Sequence, residues 1–476
     1  MDPTSNDAPN DDTPTGATDD RVYRSEPYVQ TSEIPMLDMD QLKAAAGMTA
    51  PGKNLGPSTD SDSDSDSGFT AGAGNADDPV PGEPRTSFRR RHPKLAIAAI
   101  VVAVLMIPVT ITYVQALRKE GNESFTARTA EWARDMKLGF VVDWAEQRHY
   151  ATDQFEQGGT PGAGVFKPAE TTAAPSSGPT NSAQATSTKP TVDHLTPPAR
   201  LASPISPAAA GEGEWTPVGP LISGLPGVYT TRVRPNVEHG SLAVFVSWSD
   251  PKLTDIKLYP GTDLPGGTWD LPHFLTPEIC PKVIMASNGG FRMDQSRGGY
   301  YAEGREPFKL KDGAASMVFF KDGHVDVGEW GRDFKRGDLD KMASVRQNLE
   351  LIVDDGQPVA NIEKDKDWGA LLPNSYFVWR SGYGVTKDGA LVYAGGPALK
   401  PADLARTLIN AGAVRVMEGD INPEWVTANL YGVGPDGKCF GTKGLDQSED
   451  KGGMRQIANR YLTTDTRDFV VVSAKP

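Results

Sequence analysis

The chain has 476 residues and a formal net charge of −14, so it is too long for one ordinary core and indicates several segments of different character. It has only two cysteines, Cys280 and Cys439, which argues against a disulfide-rich scaffold and against a structural zinc site. It has no basic patch or aromatic-basic stripe, so nucleic acid is not an expected partner.

Residues 1–87 form an acidic segment with 17 acidic and 5 basic residues, which holds most of the net charge. The segment contains the run SDSDSDS and few large apolar side chains, so it cannot offset the entropy of ordering. We predict a disordered cytoplasmic tail. Two interpretations stay open: a solvating tail without a partner, or a partner-binding tail phosphorylated on serines beside aspartates.

Residues 95–114, from Leu95 to Val114, form an uncharged apolar run, just long enough to cross a hydrocarbon core of about 30 Å. We predict a transmembrane signal anchor within residues 88–115. Three arginines and Lys94 flank its N-terminal side, which places the N-terminus in the cytoplasm and the C-terminal part in an extracytoplasmic position. An oxidising exterior permits a disulfide between the two cysteines, and two buried free thiols are the alternative.

Two connecting segments follow the anchor. Residues 116–157 contain an apolar stripe at helical spacing and predict a juxtamembrane amphipathic helix. Three alternatives stay open: the helix packs on the folded domain, lies on the lipid surface or binds a partner. Residues 158–213 are rich in Pro, Ala, Ser and Thr and predict a linker. The stripe consists of Phe125, Trp132, Met136, Phe140 and Trp144.

Residues 214–476 predict a β-rich domain with few helices, of α+β or mixed α/β class. Short apolar runs end in turns, and Asp322-Gly323 and Asp388-Gly389 are typical of hairpins. The clearest helix begins near Pro401 and ends at Gly412.

The stretch VMEGDINPEW follows a predicted buried strand and carries the carboxylates of Glu418 and Asp420. Loops after strand ends commonly hold functional residues, and Gly419 indicates a special backbone angle or the close approach of a ligand. The alternative is that both acids cap a turn marked by Asn422 and Pro423.

Two other stretches carry candidate binding residues. Asn288, Gly289 and Gly290 follow a predicted strand, where an amide suits a sugar hydroxyl and glycines admit a ligand; a tight turn is the alternative. Arg380 lies on another strand and suits bidentate binding of phosphate or carboxylate. An ion pair with a structural acid, or simple exposure, is the alternative for this arginine.

The sequence contains no G-x-S-x-G, H-E-x-x-H or P-loop motif. We expect no cofactor and no metal in the site. A calcium-dependent structural module built from Asp354, Asp355 and Asp420 is a further alternative.

Four stretches occur in an order that resembles the phosphodiester glycosidase family, over approximately residues 282–472: SNGGF, LIVDDGQP, FVWRSGYGVTKDGALVYAGG and ADLARTLINAGAVRVMEGD. The resemblance departs from the family after the arginine, where Ser381-Gly382 replaces Thr-Ala, and after the aspartate, where residues 421–424 replace three glycines and a serine. The family motifs correspond to Asn288, Gly289, Gly290, Arg380, Gly384, Gly412 and Asp420.

The resemblance implies a hydrolase that cleaves a sugar-phosphodiester linkage. Together with the predicted anchor and the composition of the chain, it leads us to expect a membrane-anchored extracytoplasmic enzyme that acts on an envelope glycan. Asp420, Glu418 and Arg380 are the expected catalytic residues, with Arg380 on the phosphate. Asn288, Gly289, Gly290, Arg380 and Asn422 are the expected substrate-binding residues. The alternative is a non-catalytic glycan-binding or envelope-scaffolding module with the same fold. The sugar, the stereochemical outcome and the oligomeric state stay open.

Overall fold

The computed structural model describes residues 93–121, 123–142, 145, 155–162, 164–166, 192–369, 377–444 and 457–476. The predicted acidic tail, the three arginines before the apolar run, Trp144 and the middle of the predicted linker lie outside these residues. The described part is β-rich with few helices, which confirms the predicted fold class.

Strands dominate the secondary structure of the described residues. The helices are α1 (Pro93–Arg118), α2 (Phe125–Asp135), α3 (Met293–Ser296) and α4 (Pro401–Asn410). The strands are β1 (Thr216–Ile222), β2 (Leu225–Val233), β3 (Val244–Ser249), β4 (Thr254–Tyr259), β5 (Val283–Asn288), β6 (Tyr300–Ala302), β7 (Arg305–Phe308), β8 (Ala315–Phe320), β9 (Val325–Glu329), β10 (Met342–Gln347), β11 (Leu351–Asp354), β12 (Gln357–Pro358), β13 (Val378–Thr386), β14 (Leu391–Leu399), β15 (Ala413–Glu418), β16 (Ala428–Val433), β17 (Cys439–Lys443) and β18 (Phe469–Ala474).

These strands form three sheets, and the strand pairs of the described residues are antiparallel. The largest sheet has the order β1-β2-β3-β14-β13-β15-β11-β12. The second has the order β7-β6-β10-β8-β9, and the third β17-β16-β5-β18-β4. Residues 418–424, here named the acidic loop, begin at the last residue of β15. In the largest sheet Gly382 of β13 lies opposite Glu418 of β15, so the two strands bring Arg380 and the acidic loop to one end.

The predicted hairpin and helix are confirmed. The β13–β14 hairpin turns at Asp388 and Gly389, and Gly389 has a φ of 96°, which residues other than glycine rarely adopt. Helix α4 starts at Pro401, and the Asp403 carboxylate accepts a hydrogen bond from the Lys400 amide at 3.1 Å. The helix ends before Gly412, which has a φ of 96°.

The main hydrophobic core joins the three sheets. It contains buried residues such as Met285 of β5, Met317 of β8, Tyr383 of β13, Met417 of β15 and Val470 of β18. The C-terminal ends of β5 and β15 lie beside each other although the two strands belong to different sheets, since Asn288 and Asp420 both bond to Ser381.

The described folded part begins before residue 214, where the sequence placed the boundary. Leu195 and Leu201 are buried in a core beneath β2, β3 and β14. Glu212 is fully buried and forms an ion pair with Arg234 at 2.8 Å. Residues 192–213, predicted as linker, therefore pack on the domain.

Helix α1 contains the predicted apolar run, and among the described residues it is the one helix long and apolar enough to cross a membrane. Its last turns contact α2: the rings of Tyr113 and Trp132 lie 4.9 Å apart, and Trp132 Nε1 donates to Thr112 Oγ1 at 3.2 Å. Helix α2 is shorter than the predicted juxtamembrane segment, because the chain leaves it at Met136 and adopts a φ of 61° at Lys137.

The two cysteines form a disulfide. Cys280 precedes β5 and Cys439 begins β17, and their Cα atoms lie 6.1 Å apart. Of the two alternatives that the sequence left open, the structure has the bonded pair, which links the third sheet across 159 residues of chain.

Candidate functional site

The acidic loop after β15 is held against β13 by Ser381. The Ser381 amide donates to the Asp420 carbonyl at 2.9 Å, and the Gly419 amide donates to the Ser381 carbonyl at 2.7 Å. The Asp420 amide donates to Ser381 Oγ at 2.9 Å. A Cβ at Gly419 would meet Ser381 Oγ at 2.4 Å, so the close approach predicted at this glycine is that of β13.

Glu418 and Arg380 form a fully buried ion pair, and neither side chain has exposed surface. Arg380 also donates from Nε to the Leu399 carbonyl and from Nη1 to the Trp368 carbonyl, each at 3.0 Å. Arg380 Nη2 and Glu418 Oε2 have no hydrogen-bond partner among the described residues. Burial raises the pKa of Glu418 to about 7, although the neighbouring guanidinium opposes this shift.

Asp420 lies beside the pair and is only 1% exposed. Its Oδ1 accepts from the Asn422 amide at 2.9 Å, and its Oδ2 accepts from Arg467 Nη1 at 3.1 Å. Burial raises the pKa of the Asp420 carboxyl above its ordinary value, and Arg467 counteracts part of this effect. Two carboxylates with raised pKa values therefore lie within one short loop.

Asn288 connects β5 to the strands that carry the acidic loop. Its Nδ2 donates to Ser381 Oγ at 3.0 Å, and its Oδ1 accepts from Tyr393 OH and from the Thr427 amide, each at 3.0 Å. The Tyr383 hydroxyl donates to the Asn288 carbonyl. The amide oxygen predicted for a sugar hydroxyl is thus engaged by the protein in this structure.

The two glycines after Asn288 admit other side chains of the protein. A Cβ at Gly289 would meet the Asp468 carboxylate at 2.1 Å, and a Cβ at Gly290 would lie 3.2 Å from Asn348 Cγ. Asp468 forms a buried ion pair with Arg346 at 2.8 Å. The glycines therefore make room for buried polar groups behind the loop.

Asn422 forms the turn that ends the acidic loop. Its Oδ1 accepts from the Glu424 amide at 2.9 Å, and its carbonyl accepts from the Trp425 amide at 2.9 Å. Asn422 is partly exposed. The alternative that both acids cap this turn holds for Asp420, which accepts from the Asn422 amide, and not for Glu418, which pairs with Arg380. A role of Asn422 in substrate binding stays a prediction.

Two arginines that the sequence did not single out complete the site. Arg467 contacts Asp420, and its guanidinium carbon lies 3.7 Å from the centroid of the Trp425 ring. Arg292 lies after the glycine pair, and both arginines bind Glu131 of α2. The available signal was their position, since Arg292 follows SNGGF and Arg467 precedes the apolar strand FVVVSA.

The carboxylates proposed for calcium lie apart. In the antiparallel pair of β11 and β15, Val353 lies opposite Val416, so Asp354 is at the end of the pair away from Asp420. Asp354 forms an ion pair with Arg332 at 2.6 Å. In the part of the chain that the structure describes, no group of three or more His, Cys, Asp or Glu side chains is arranged to hold a metal ion.

A surface cavity of about 430 Å³ lies at the other end of β13 and β14. It is lined by His324, Asp326, Thr386, Lys387 and Arg415, among others, and by none of the predicted site residues. The acidic loop and this cavity therefore lie at separate places in the structure.

No protein-family model matches the chain, and no curated protein sequence matches it. Among solved structures, it is similar to the catalytic domain of the zebrafish N-acetylglucosamine-1-phosphodiester alpha-N-acetylglucosaminidase, auto-inhibited by its pro-peptide, with 13% identity and a TM-score of 0.35 over 60% of this chain and 89% of that chain. It is also similar to a hypothetical protein from Synechocystis, with 12% identity and a TM-score of 0.28 over 53% of this chain and 63% of that chain. These values describe a weak resemblance of fold and say nothing of activity.

Proposed function

We propose that the domain is an extracytoplasmic hydrolase of a sugar-phosphodiester linkage in an envelope glycan, with Asp420 as its reacting carboxylate. The observation that carries this proposal is the Asp420 carboxylate itself, which is buried, has a raised pKa and bonds to Arg467. Carboxylates with perturbed pKa values are more frequent at catalytic sites, because catalysis tunes the pKa of its acids and bases to the reaction.

The residue types suit the proposed chemistry. Cleavage of the sugar C1–O bond expels a phosphate monoester, which leaves more readily than an alcohol and needs less help from a general acid. Asp420 activates the attacking water or stabilises the oxocarbenium-like centre. Glu418, with a pKa of about 7, is the second carboxylate and exchanges a proton near neutral pH.

Arg380 has a supporting role in this proposal. The phosphate-binding role that we expected requires a ligand to reach a side chain without exposed surface. Its hydrogen bonds to two carbonyl groups and to Glu418 hold that carboxylate in place beside Asp420. Asn288 and the two glycines then fix the loop against β5.

The membrane location is part of the same proposal. Helix α1 anchors the chain with the N-terminus in the cytoplasm, and the domain stands in the oxidising compartment. The disulfide supports this assignment, because disulfides persist outside the cytosol.

A non-catalytic glycan-binding module is the second candidate. It is favoured by the enclosure of Asp420, whose two carboxylate oxygens both bond to the protein. A purely structural carboxylate would have the same contacts.

The test compares turnover and binding in the full-length protein in detergent. We expect the wild type to hydrolyse N-acetylglucosamine-1-phosphodiesters, with a nucleotide sugar as the first substrate. Asp420→Asn preserves the shape of the side chain and removes its charge, so we expect at least a hundredfold loss of turnover, about 2.7 kcal/mol. Asp436→Asn, at an exposed turn, is the matched control and keeps wild-type turnover.

If folded wild type and folded Glu131→Gln, which lacks the carboxylate that pairs with Arg292 and Arg467, both bind glycan without turnover, the binding module is supported instead. Equal turnover in the wild type and Asp420→Asn would exclude Asp420 as the reacting group.

A further inference from the structure

The carboxylate of Glu131 on helix α2 bridges two arginines at the edge of the candidate site. Glu131 Oε1 accepts from Arg467 Nη2 at 2.5 Å, and Glu131 Oε2 accepts from Arg292 Nη1. The arginine side chains are 9% and 12% exposed. One anion therefore joins two nearly buried guanidinium groups that belong to distant parts of the sequence.

Two like charges held this close require a negative partner. Burial lowers the pKa of each guanidinium, and the charge of Arg467 lowers that of Arg292 further. Arg467 Nη1 donates to Asp420 Oδ2, and the Trp425 ring covers the face of the Arg467 guanidinium, with its centroid 3.7 Å from the guanidinium carbon. Arg467 Nη2 and Arg292 Nη1 then remain directed at one shared anion, which is Glu131 here.

The pair is suited to a phosphate group. Guanidinium N–H groups form strong, charge-assisted hydrogen bonds to phosphate oxygens. One donor nitrogen of each arginine, Arg292 Nη1 and Arg467 Nη2, converges on the shared anion, so two oxygens of one phosphate can accept from them. Asp294 Oδ1 accepts from Arg292 Nε at 3.2 Å, and Asp135 Oδ1 accepts from its Nη2 at 3.2 Å. These two acids are more than half exposed and leave Nη1 for the shared anion.

Glu131, which occupies this position in the structure, lies on helix α2, and α2 packs loosely. Helix α2 has no buried residue, and Phe125 at its start is 66% exposed. Besides Glu131 and Asp135, the residues just before the helix contact the site: the Ser124 amide donates to Glu424 Oε1 at 2.9 Å, and Thr466 Oγ1 donates to Glu123. Few buried apolar contacts mean that local opening costs little free energy.

We propose that Arg292 and Arg467 form a binding subsite for a phosphate group beside Asp420, and that Glu131 of α2 occupies this subsite until a phosphate ligand displaces it. The inference concerns the same site as the proposed hydrolysis, yet it requires no turnover. Because the apparent affinity falls with the fraction of protein in the open state, removal of the internal carboxylate strengthens phosphate binding.

The binding test uses the full-length protein in phosphatidylcholine nanodiscs and inorganic phosphate as the probe, measured by calorimetry. Glu131→Gln keeps the side-chain shape and removes the charge, and we expect phosphate to bind at least tenfold tighter than to the wild type. Glu120→Gln, an exposed acid just before α2, is the matched control and leaves the affinity unchanged. Adding Arg292→Gln to Glu131→Gln reduces the affinity at least tenfold.

Equal phosphate affinity in the wild type and Glu131→Gln overturns the proposal, and so does an affinity that is insensitive to Arg292→Gln in a folded protein. A second measurement needs no substitution: saturating phosphate increases amide hydrogen exchange of residues 125–135 in the wild type, relative to chloride at the same ionic strength. Unchanged exchange there contradicts displacement of Glu131.

A third arm identifies the source of the phosphate. Nanodiscs that contain phosphatidic acid are compared with phosphatidylcholine discs, using Glu131→Gln. Weaker binding of inorganic phosphate in the phosphatidic acid discs supports a subsite filled by a lipid phosphate, and equal binding supports one filled by a soluble phosphate. Because turnover is not measured in any arm, failure of this inference and failure of the proposed hydrolysis are distinguishable.

Discussion

At the scale of single residues, the candidate site consists of charges that the fold encloses in pairs. Glu418 pairs with Arg380, Asp420 with Arg467, and Asp468 with Arg346. Removing one partner of such a pair leaves an uncompensated buried charge, which typically costs about 3–5 kcal/mol. The sequence showed the individual charges but not the pairing, because Arg346 and Asp468 are 122 positions apart in the chain and come together only in the folded protein.

The raised pKa of Glu418 predicts a pH dependence of stability. Its pKa is about 7 in the folded protein and 4.5 in an ordinary environment, so between these values the folded state holds a proton that the unfolded state has released. The contribution of Glu418 to the free energy of unfolding is therefore fully present below pH 4.5 and falls as the pH rises towards 7.

Glu418→Gln removes this titration. We expect its free energy of unfolding to fall less steeply with pH than that of the wild type between pH 5 and 7. The difference in slope corresponds to at most one bound proton. Urea unfolding followed by tryptophan fluorescence at a series of pH values measures the slope. The exposed Glu350→Gln serves as control, and a slope unchanged by Glu418→Gln would show that this carboxyl titrates normally.

At the scale of elements, the acidic loop is a strand end fixed on its neighbour. Ser381 of β13 bonds to both Gly419 and Asp420, and Asn288 at the end of β5 bonds to Ser381. The apolar runs, the Asp-Gly turns and the helix from Pro401 were predictable, because each has a local signal. Strands β16 and β17 were not predicted, since glycines interrupt their apolar residues and they are stabilised by tertiary pairing, of β16 with β5 and of β17 with β16.

Gly419→Ala tests the fixation of the loop. The added methyl group would meet Ser381 Oγ at 2.4 Å, so β13 or the loop must shift, at a typical cost of about 1–3 kcal/mol. We expect a lower melting temperature together with lower turnover. Gly337→Ala is the control, because no atom lies within 4 Å of the Cβ it would introduce. Equal melting temperatures for the two variants would contradict the close contact.

At the scale of the whole molecule, the described chain from residue 93 connects an apolar helix to the candidate site through α2. Tyr113 and Thr112 of α1 contact Trp132, and the adjacent Glu131 contacts the site arginines. The sequence predicted the amphipathic helix and left its partner open. Its ion pairs could not be predicted, because Arg292 and Arg467 are separated from Glu131 by 161 and 336 positions.

The orientation of the anchor is a prediction at this scale. The basic residues before the apolar run predict a cytoplasmic N-terminus. We expect alkaline phosphatase, which is active only outside the cytoplasm, to be active when fused after residue 476 and inactive when fused after residue 87. The reverse pattern would place the domain in the cytoplasm and remove the envelope glycan as its substrate.

The most direct test of the central claim is the turnover of a nucleotide sugar by Glu131→Gln and by Glu131→Gln with Asp420→Asn, in full-length protein. The first variant lacks the internal carboxylate at the site arginines, so the measurement reports on Asp420 alone. Our account predicts hydrolysis by the single variant and at least a hundredfold slower hydrolysis by the double variant. Equal rates in the two folded proteins would contradict it.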